Sequence, residues 1–329
     1  MTRYARNLLA AAREGEADRG RSGPGLRHVE LESGRGGGTD LLHVPFTDRI
    51  FGPTPDEATR AVRDLLAREA PRVWVLNLHD VPQPDEGADR YARRAAAYAR
   101  LVAQADVVVT NSEHEARGVQ DLPGCHGAPV HVIPLPLEPV TARRTPSEPT
   151  HQGRQSVAQQ SSTIGLLGFV HPGKGYERVI DAAPAGTCVR AIGQVAEGHH
   201  DYARALTERA RHCGVDVQVT GYVPEDALAA ELDAVDVPVC PHLHVSASGS
   251  LNTWIAHGRI PLVVDGPYMR EVARRWPGTL EVASQQDFRT ALLDTLGHPS
   301  RTRAVRPPPS WGWSQVAAAY SALWTEALS

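Results

Sequence analysis

Residues 163–183 read TIGLLGFVHPGKGYERVIDAA, and Lys174 within them is the only lysine in a chain of 329 residues. The apolar run at 163–168 is followed by a turn containing two glycines and then by a helical pattern at 176–183. Short apolar runs bounded by turn residues are typical of buried strands. The stretch therefore predicts a strand, a close turn and a helix, which together form the βα unit of a parallel sheet.

The same alternation continues in both directions from this unit. Further strands are expected at 41–46, 73–78, 106–110, 130–133, 188–193, 215–220, 237–240 and 260–264. Further helices are expected at 54–69, 89–105, 200–212, 225–234, 249–257 and 311–328. Apolar strands that alternate with amphipathic helices predict an α/β protein built on parallel sheets.

A polar stretch divides this pattern into two parts. Residues 138–162, EPVTARRTPSEPTHQGRQSVAQQSS, are rich in Pro, Ser, Thr and Gln and carry almost no apolar side chains. Such a segment buries too little surface to order itself, so we interpret residues 140–162 as an interdomain linker. The expected domains are 1–139 and 163–310, followed by a helix at 311–329. A cleft between two βα domains is the natural place for a ligand.

Composition excludes several classes of protein. An apolar fraction of 41% is that of a globular protein, and a net charge of −4 argues against a nucleic-acid partner. No run approaches the ~18 apolar residues of a membrane helix, and no signal peptide opens the sequence. The four cysteines form no CxxC pair, which favours a reducing compartment. We therefore expect a cytoplasmic protein without a membrane span.

The position of Lys174 suits a phosphate group. It lies at the carboxyl end of a predicted strand and beside the start of a helix, where unpaired N–H groups and a partial positive charge favour anions. Gly173 and Gly175 allow the backbone to approach a ligand closely. An ordinary surface loop is the alternative interpretation of the same residues.

A second loop of this kind is SASGSLNTWIAHG at 246–258. Ser248 or Ser250 can cap the helix that follows. Small residues before a helix again form a turn that can accommodate a phosphate group. An ordinary strand–helix turn is the alternative. Two such loops on neighbouring strands favour a diphosphate over a single phosphate.

The first domain offers NLHD at 77–80, which ends a predicted strand. His79 and Asp80 are expected to protrude there, where a histidine can donate to an anionic oxygen or a sugar hydroxyl. A structural histidine is the alternative. CPHLH at 240–244 has metal-like spacing, but no fourth ligand is evident, so we expect no metal site.

Several segments together resemble the retaining glycosyltransferases of family 4. They are NLHD, ADVVVTNSEHE, GFVHPGKGYERVIDA, VTGYVPEDALAAELDAVDVPVCP and IPLVVDGPYMREV. The resemblance covers nearly the whole chain and is more specific in its C-terminal half. It implies the GT-B fold, with two Rossmann-like βα domains facing a central cleft and a last helix that returns to the first domain. It also implies a hexosyltransferase-like enzyme that transfers a sugar from a nucleotide diphosphate sugar with retention. It implies neither a cofactor nor an essential metal.

The resemblance also assigns roles to residues. Lys174 would bind phosphate with catalytic effect, His79 and the adjacent Asp80 would face the sugar and the leaving phosphate, and Glu271 would match a glutamate of the donor site. The other donor-binding positions would be Phe169, His171 and Gly173 in the lysine loop, Gly221, Tyr222 and Val223 beside the base, and Ser248, Gly249, Ser250 and Leu251 at the diphosphate.

The chain departs from the family pattern at three places. Phe169 replaces the arginine that usually precedes the lysine, so His171 or another arginine would have to complete the phosphate clamp. Val245 and Thr253 stand where the family has paired glutamates. The opening MTRYARNLLAAARE resembles a first helix without its preceding strand and glycine-rich loop, which favours a misassigned start.

Two hypotheses follow. The first is an active glycosyltransferase that uses a nucleotide sugar and an acceptor of unknown identity. The second is a non-catalytic GT-B module that binds a nucleotide or a partner protein. Retention of Lys174 favours the first hypothesis, and the loss of both glutamates favours the second.

Overall fold

The computed structural model describes residues 2–18, 38–138 and 162–329. The chain divides into two compact units. Unit 1 comprises Met1–Pro136 and Trp311–Ser329, and unit 2 comprises Leu137–Ser310. The predicted linker at 140–162 lies outside the described residues except for its last position.

The strands form two parallel sheets. In chain order they are β1 (Leu41–Phe46), β2 (Val73–Leu78), β3 (Val107–Thr110), β4 (His131–Val132), β5 (Thr163–Leu167), β6 (Cys188–Ile192), β7 (Asp216–Val219), β8 (Val237–Cys240), β9 (Leu262–Val264) and β10 (Glu281–Ala283). Unit 1 has the order β1-β2-β3-β4, and unit 2 has the order β10-β9-β8-β5-β6-β7. Because all these pairs are parallel, the carboxyl ends of the strands of each sheet meet at one edge.

The α-helices connect and cover these strands. They are α1 (Thr2–Asp18), α2 (Asp48–Phe51), α3 (Pro55–Glu69), α4 (Ala88–Val102), α5 (Glu113–Gln120), α6 (Tyr176–Ala182), α7 (His200–His212), α8 (Glu225–Asp233), α9 (Gly249–Ala256), α10 (Pro267–Arg275), α11 (Phe288–Gly297) and α12 (Trp313–Leu328). No helix in the described ranges is both long enough and apolar enough to span a membrane.

The unit 1 sheet is covered on both faces. Phe46, Leu76 and Leu78 pack on one face against α3 and α4. Val75 and Val109 point to the other face, where they meet Leu8 of α1 and residues of α12, including Val316 and Tyr320. Since successive strand residues point to opposite faces, a strand that is apolar at nearly every position must be buried on both.

The unit 2 sheet has a continuous aliphatic core. Ile164 and Leu166 of β5, at the middle of the sheet, are fully buried, and Val179 and Ile180 of α6 pack in the same cluster. Gly165 of β5 has no room for a side chain, because a Cβ there would lie 2.4 Å from Val235. The central strand thus holds the lysine loop at the carboxyl edge of this sheet.

Most predicted elements lie within a few residues of their observed bounds. The strand expected at 260–264 begins only at Leu262, because Ile260 N donates to Thr302 O and Pro261 has no N–H to contribute. The strand expected at 130–133 is reduced to two residues. Helices α2, α5, α10 and α11 and strand β10 had not been expected.

Candidate functional site

The candidate site is centred on Lys174, which lies in the loop between β5 and α6. Its side chain is buried, with 8% of the residue exposed. Lys174 Nζ donates to Ser250 Oγ at 3.1 Å. The two loops that the sequence placed at neighbouring strands therefore meet through this hydrogen bond.

Two glycines shape the lysine loop. Gly175 has a φ of +86°, and a Cβ there would lie 2.6 Å from Pro241 O. Gly168 also has a positive φ, and its Cβ would lie 3.2 Å from Lys174 Nζ. Side chains at these positions would push the loop away from the end of β8 or displace the ammonium group.

Ser248 organises the turn that opens α9. Its Oγ accepts from Leu251 N at 3.2 Å and lies 3.2 Å from Ser250 Oγ. Its backbone N donates to Tyr268 Oη at 3.2 Å. Ser248 is thus the N-cap, and Ser250, one residue into the helix, extends the same hydroxyl chain to Lys174.

No carboxylate of the described residues compensates the charge of Lys174. Within the described ranges Ser250 Oγ is the one hydrogen-bond partner of Nζ, and no carboxylate pairs with it. Burial lowers the pKa of Lys174, and the nearby Cys240 opposes that effect. An unpaired buried ammonium is unfavourable, and an anionic ligand would remove the penalty.

His242 and Cys240 lie close to Lys174 at the end of β8. Burial, with the positive charge of Lys174, lowers the pKa of His242 well below its usual value, so its imidazole is neutral. His242 Nδ1 is buried without a hydrogen-bond partner in the described part of the chain. Burial raises the pKa of the Cys240 thiol to about 12. Neither side chain supplies a negative charge at neutral pH.

The remaining residues expected at the donor site lie in the same unit but differ in exposure. Phe169 and Tyr222 are exposed, at 54% and 75%, whereas Glu271 in α10 is buried. Gly173 has a positive φ, and His171 Nδ1 lies 2.6 Å from Pro172 O. The turn Gly221–Tyr222–Val223 follows β7, which is two strands from β5 and therefore about 10 Å away along the edge of the sheet.

The spacing of Cys240, His242 and His244 does not create a metal centre. Among the residues that the structure describes, no three histidine, cysteine or acidic side chains form a group that could hold a metal ion. His244 is exposed, whereas Cys240 and His242 are buried.

His79 follows β2 in unit 1 and is held in one tautomer. Asn77 Nδ2 donates to Val109 O at 3.4 Å, so Asn77 Oδ1 is left to face His79 Nε2 at 2.9 Å. His79 Nε2 therefore carries the proton and Nδ1 has the lone pair. Burial, aided by His43, lowers the pKa of His79 to about 3, which keeps the ring neutral.

Asp80 occupies the next position with an unusual backbone. Its φ is +56°, a left-handed conformation that is uncommon for a residue with a side chain. The side chain is 59% exposed, and Asp80 Oδ2 accepts from Arg94 Nη2 at 3.0 Å. His79 and Asp80 thus lie together at the carboxyl edge of the unit 1 sheet.

Sequence reasoning missed Asn77, Tyr268 and Arg94, which hold the candidate residues in place. Asn77 was visible as a polar residue inside the apolar strand VWVLNL. Arg94 lies in the middle of α4 among other arginines, and nothing in the sequence distinguishes it.

Comparison with known proteins rests on structure. No protein-family model and no curated protein matches this sequence. HepE from Anabaena, solved in complex with UDP and glucose, superposes with a TM-score of 0.60 and 17% identity over 86% of this chain and 73% of that chain. Sucrose-phosphate synthase from Thermosynechococcus elongatus superposes with a TM-score of 0.63 and 14% identity, over 87% of this chain and 73% of that chain. For a UDP-forming α,α-trehalose-phosphate synthase from Burkholderia xenovorans the TM-score is 0.57 and the identity 12%, over 98% of this chain and 75% of that chain.

The chain has the GT-B fold. The parallel sheets of its two units and the superpositions onto these glycosyltransferases establish this fold class. The expectation of a GT-B protein drawn from the sequence is therefore confirmed. At identities of 17% and below, the likeness extends to the fold alone.

Proposed function

We propose that this GT-B chain is a glycosyltransferase that transfers a sugar from a nucleotide diphosphate sugar to an acceptor. One observation supports the proposal above the others: Lys174 is buried, has no carboxylate partner in the described residues, and donates to the serine turn at the start of α9. A nucleotide diphosphate supplies the negative charge that this arrangement lacks.

Charge stabilisation of the leaving diphosphate is the main catalytic contribution in this proposal. An ammonium group about 4 Å from a phosphate oxygen, at an effective dielectric near 20, contributes about 4 kcal/mol of Coulomb attraction before desolvation. The N–H groups at the start of α9 add to this attraction, with Ser248 already holding the turn. We assign this role to Lys174, Ser250 and the helix start, and the mechanism requires neither a cofactor nor a metal ion.

His79 has a narrower role than the resemblance implied. Its ring is neutral and its Nε2 proton is directed to Asn77, so Nδ1 is the nitrogen left for a ligand. A neutral Nδ1 accepts a hydrogen bond and repels an anionic oxygen. We infer that His79 accepts from a hydroxyl of the transferred sugar and does not donate to the leaving phosphate.

Retention of configuration and membership of family 4 belong to the proposal. The segments quoted above resemble that family, and the neighbours solved with UDP or UDP-glucose support a uridine nucleotide as the first donor to test. The turn at Gly221–Val223 is the proposed place of the base.

A non-catalytic GT-B module that binds a nucleotide or a protein is the second candidate. Val245 and Thr253 favour it, because neither can bind sugar or ribose hydroxyls as a carboxylate does. Thr253 Oγ1 donates instead to Gly249 O, within its own helix, at 2.9 Å.

Ligand-dependent melting and turnover separate the two candidates. The chain is mixed with UDP, GDP and their sugars; a ligand at a hundred times its Kd should stabilise the fold by about 2.7 kcal/mol. Lys174→Ala should abolish this stabilisation while leaving the circular dichroism spectrum intact. Arg209→Ala is the control, because it removes an exposed charge paired with Asp181 in unit 2. The Arg209→Ala protein should be stabilised by the ligand as the wild type is.

An active transferase should also release nucleoside diphosphate when an acceptor is supplied. If a nucleotide stabilises the protein but no sugar–acceptor pair leads to release of nucleoside diphosphate, the binding module is favoured. If no nucleotide or nucleotide sugar shifts the melting temperature, or if Lys174→Ala binds as well as the wild type, the proposed donor site is wrong.

A further inference from the structure

Arg94 of α4 binds three carboxylates from two loops at the carboxyl edge of the unit 1 sheet. Asp48 follows β1, Asp80 follows β2, and Glu86 lies further along the same loop as Asp80. Arg94 Nε donates to Asp48 Oδ2 at 2.9 Å, Nη2 donates to Asp80 Oδ2 at 3.0 Å, and Nη1 donates to Glu86 Oε1. Only 3% of Arg94 is exposed.

The contacts of Arg94 include the backbone as well as these carboxylates. Arg94 Nη2 also donates to Asp80 O at 2.7 Å. One turn further along α4, Tyr98 Oη donates to His79 O at 3.4 Å. The carbonyl groups of both residues of the His79–Asp80 turn are therefore bound to a single helix.

A lysine could not make the same set of contacts. The guanidinium presents five N–H groups in a rigid fork, whereas an ammonium is a compact charge with three donors. Asp80 also has a φ of +56°, a conformation that persists only where surrounding contacts impose it. The fork of Arg94 supplies those contacts to the carbonyl and the carboxylate of Asp80 together.

We propose that Arg94 is a positioning residue, which fixes the orientation of the His79–Asp80 turn toward the substrate. This inference rests on the proposed function, because the substrate is the sugar that His79 would contact. Tyr98 acts in the same way through the carbonyl of His79. Neither side chain touches the reacting atoms.

The test compares Arg94→Lys with a matched arginine. Arg190 of β6 in unit 2 makes a two-bond ion pair with Glu231, at 2.8 and 3.0 Å, so Arg190→Lys removes the same kind of fork elsewhere. Amide hydrogen exchange is measured over residues 79–86, with residues 107–110 of β3 as an internal reference for folding. We expect exchange at 79–86 to be about tenfold faster in Arg94→Lys and unchanged in Arg190→Lys.

Kinetics with the active donor give a second readout. Arg94→Lys should lower kcat about 10²-fold, because a small displacement of a substrate-contacting group costs that much. The Kd for the nucleoside diphosphate should stay within about twofold, since that ligand is assigned to Lys174 in unit 2. A purely structural role would instead lower activity in proportion to the loss of folded protein.

Tyr98→Phe is a second variant that tests the proposal if Arg94→Lys unfolds unit 1. It removes only the hydroxyl and should raise exchange at 79–86 in the same direction, by a smaller factor. Unchanged exchange at 79–86 in Tyr98→Phe and in any folded Arg94→Lys would overturn the proposal, as would a kcat equal to that of Arg190→Lys. Hydrogen exchange does not depend on turnover, so an inactive wild-type chain would refute the proposed function while the exchange data still decided the role of Arg94.

Discussion

Lys174 places a positive charge inside unit 2 before any ligand binds. Its ammonium group is buried and has a serine hydroxyl as its partner in the described residues. Burial lowers its pKa, which shows that the surrounding protein disfavours the charged form. At the scale of a single residue, the proposed function makes Lys174 a group that binds its ligand at the expense of stability.

Replacement of Lys174 by methionine should therefore stabilise the ligand-free protein. Methionine has a similar volume and no charge to desolvate, so we expect the free energy of unfolding to rise by about 1 kcal/mol. Urea denaturation of both proteins without ligand measures the change. A less stable Lys174→Met protein would mean that the ammonium is already satisfied by the fold.

At the scale of the element, the end of α8 depends on Arg259. Its guanidinium donates to the carbonyl groups of Leu232, Val235 and Asp236 and to Thr302, at distances from 2.7 to 3.3 Å. Arg259 is 2% exposed, and burial lowers its pKa to about 10. These bonds satisfy the carbonyl group of Leu232 in the last turn of α8 and those of Val235 and Asp236 in the segment that follows the helix.

Arg259→Met should lower the free energy of unfolding by about 3 kcal/mol, because several buried carbonyl groups lose their donor at once. Arg303→Met is the matched control, since the exposed Arg303 donates to Asp233 O, at 3.4 Å, and pairs with the carboxylate of the same residue. Denaturant unfolding measures both variants. Equal losses would show that the network around Arg259 does not stabilise α8.

The elements show what a single sequence can and cannot reveal. Apolar runs identified the central strands, because burial on both faces leaves a local pattern, and strand order along the chain placed Lys174 near Ser250. The tautomer of His79 depends on Asn77 and Val109, and the orientation of Asp80 depends on Arg94, 14 residues away. Such contacts join residues that are distant in sequence, and local periodicity does not indicate which asparagine or arginine makes them.

At the scale of the whole molecule, stability should fall in mild acid. Burial lowers the pKa of both His43 and His79 to about 3 from the usual 6.5. Between these values the unfolded chain binds protons that the folded chain does not, so stability is full above pH 6.5 and is lost as the pH falls toward 3. His43 Nε2 is buried without a partner in the described residues, and the ring packs against Tyr320 of α12.

His43→Phe keeps an aromatic ring at this position and removes the titrating group. The free energy of unfolding, measured by urea at pH 7 and pH 5, should fall less between these two values in the variant than in the wild type. An identical drop in both proteins would show that His43 does not control acid stability.

The placement of α12 has a consequence for the order in which the chain can fold during synthesis. Val75 and Val109 belong to strands that leave the ribosome early, but the Val316 and Tyr320 side chains that cover them are translated after the whole of unit 2. Unit 2 can complete its own core while this face of the unit 1 sheet is covered by α1 alone. During that interval the nascent polypeptide presents an aliphatic surface of the kind that chaperones bind, and it is shielded only when the last helix emerges.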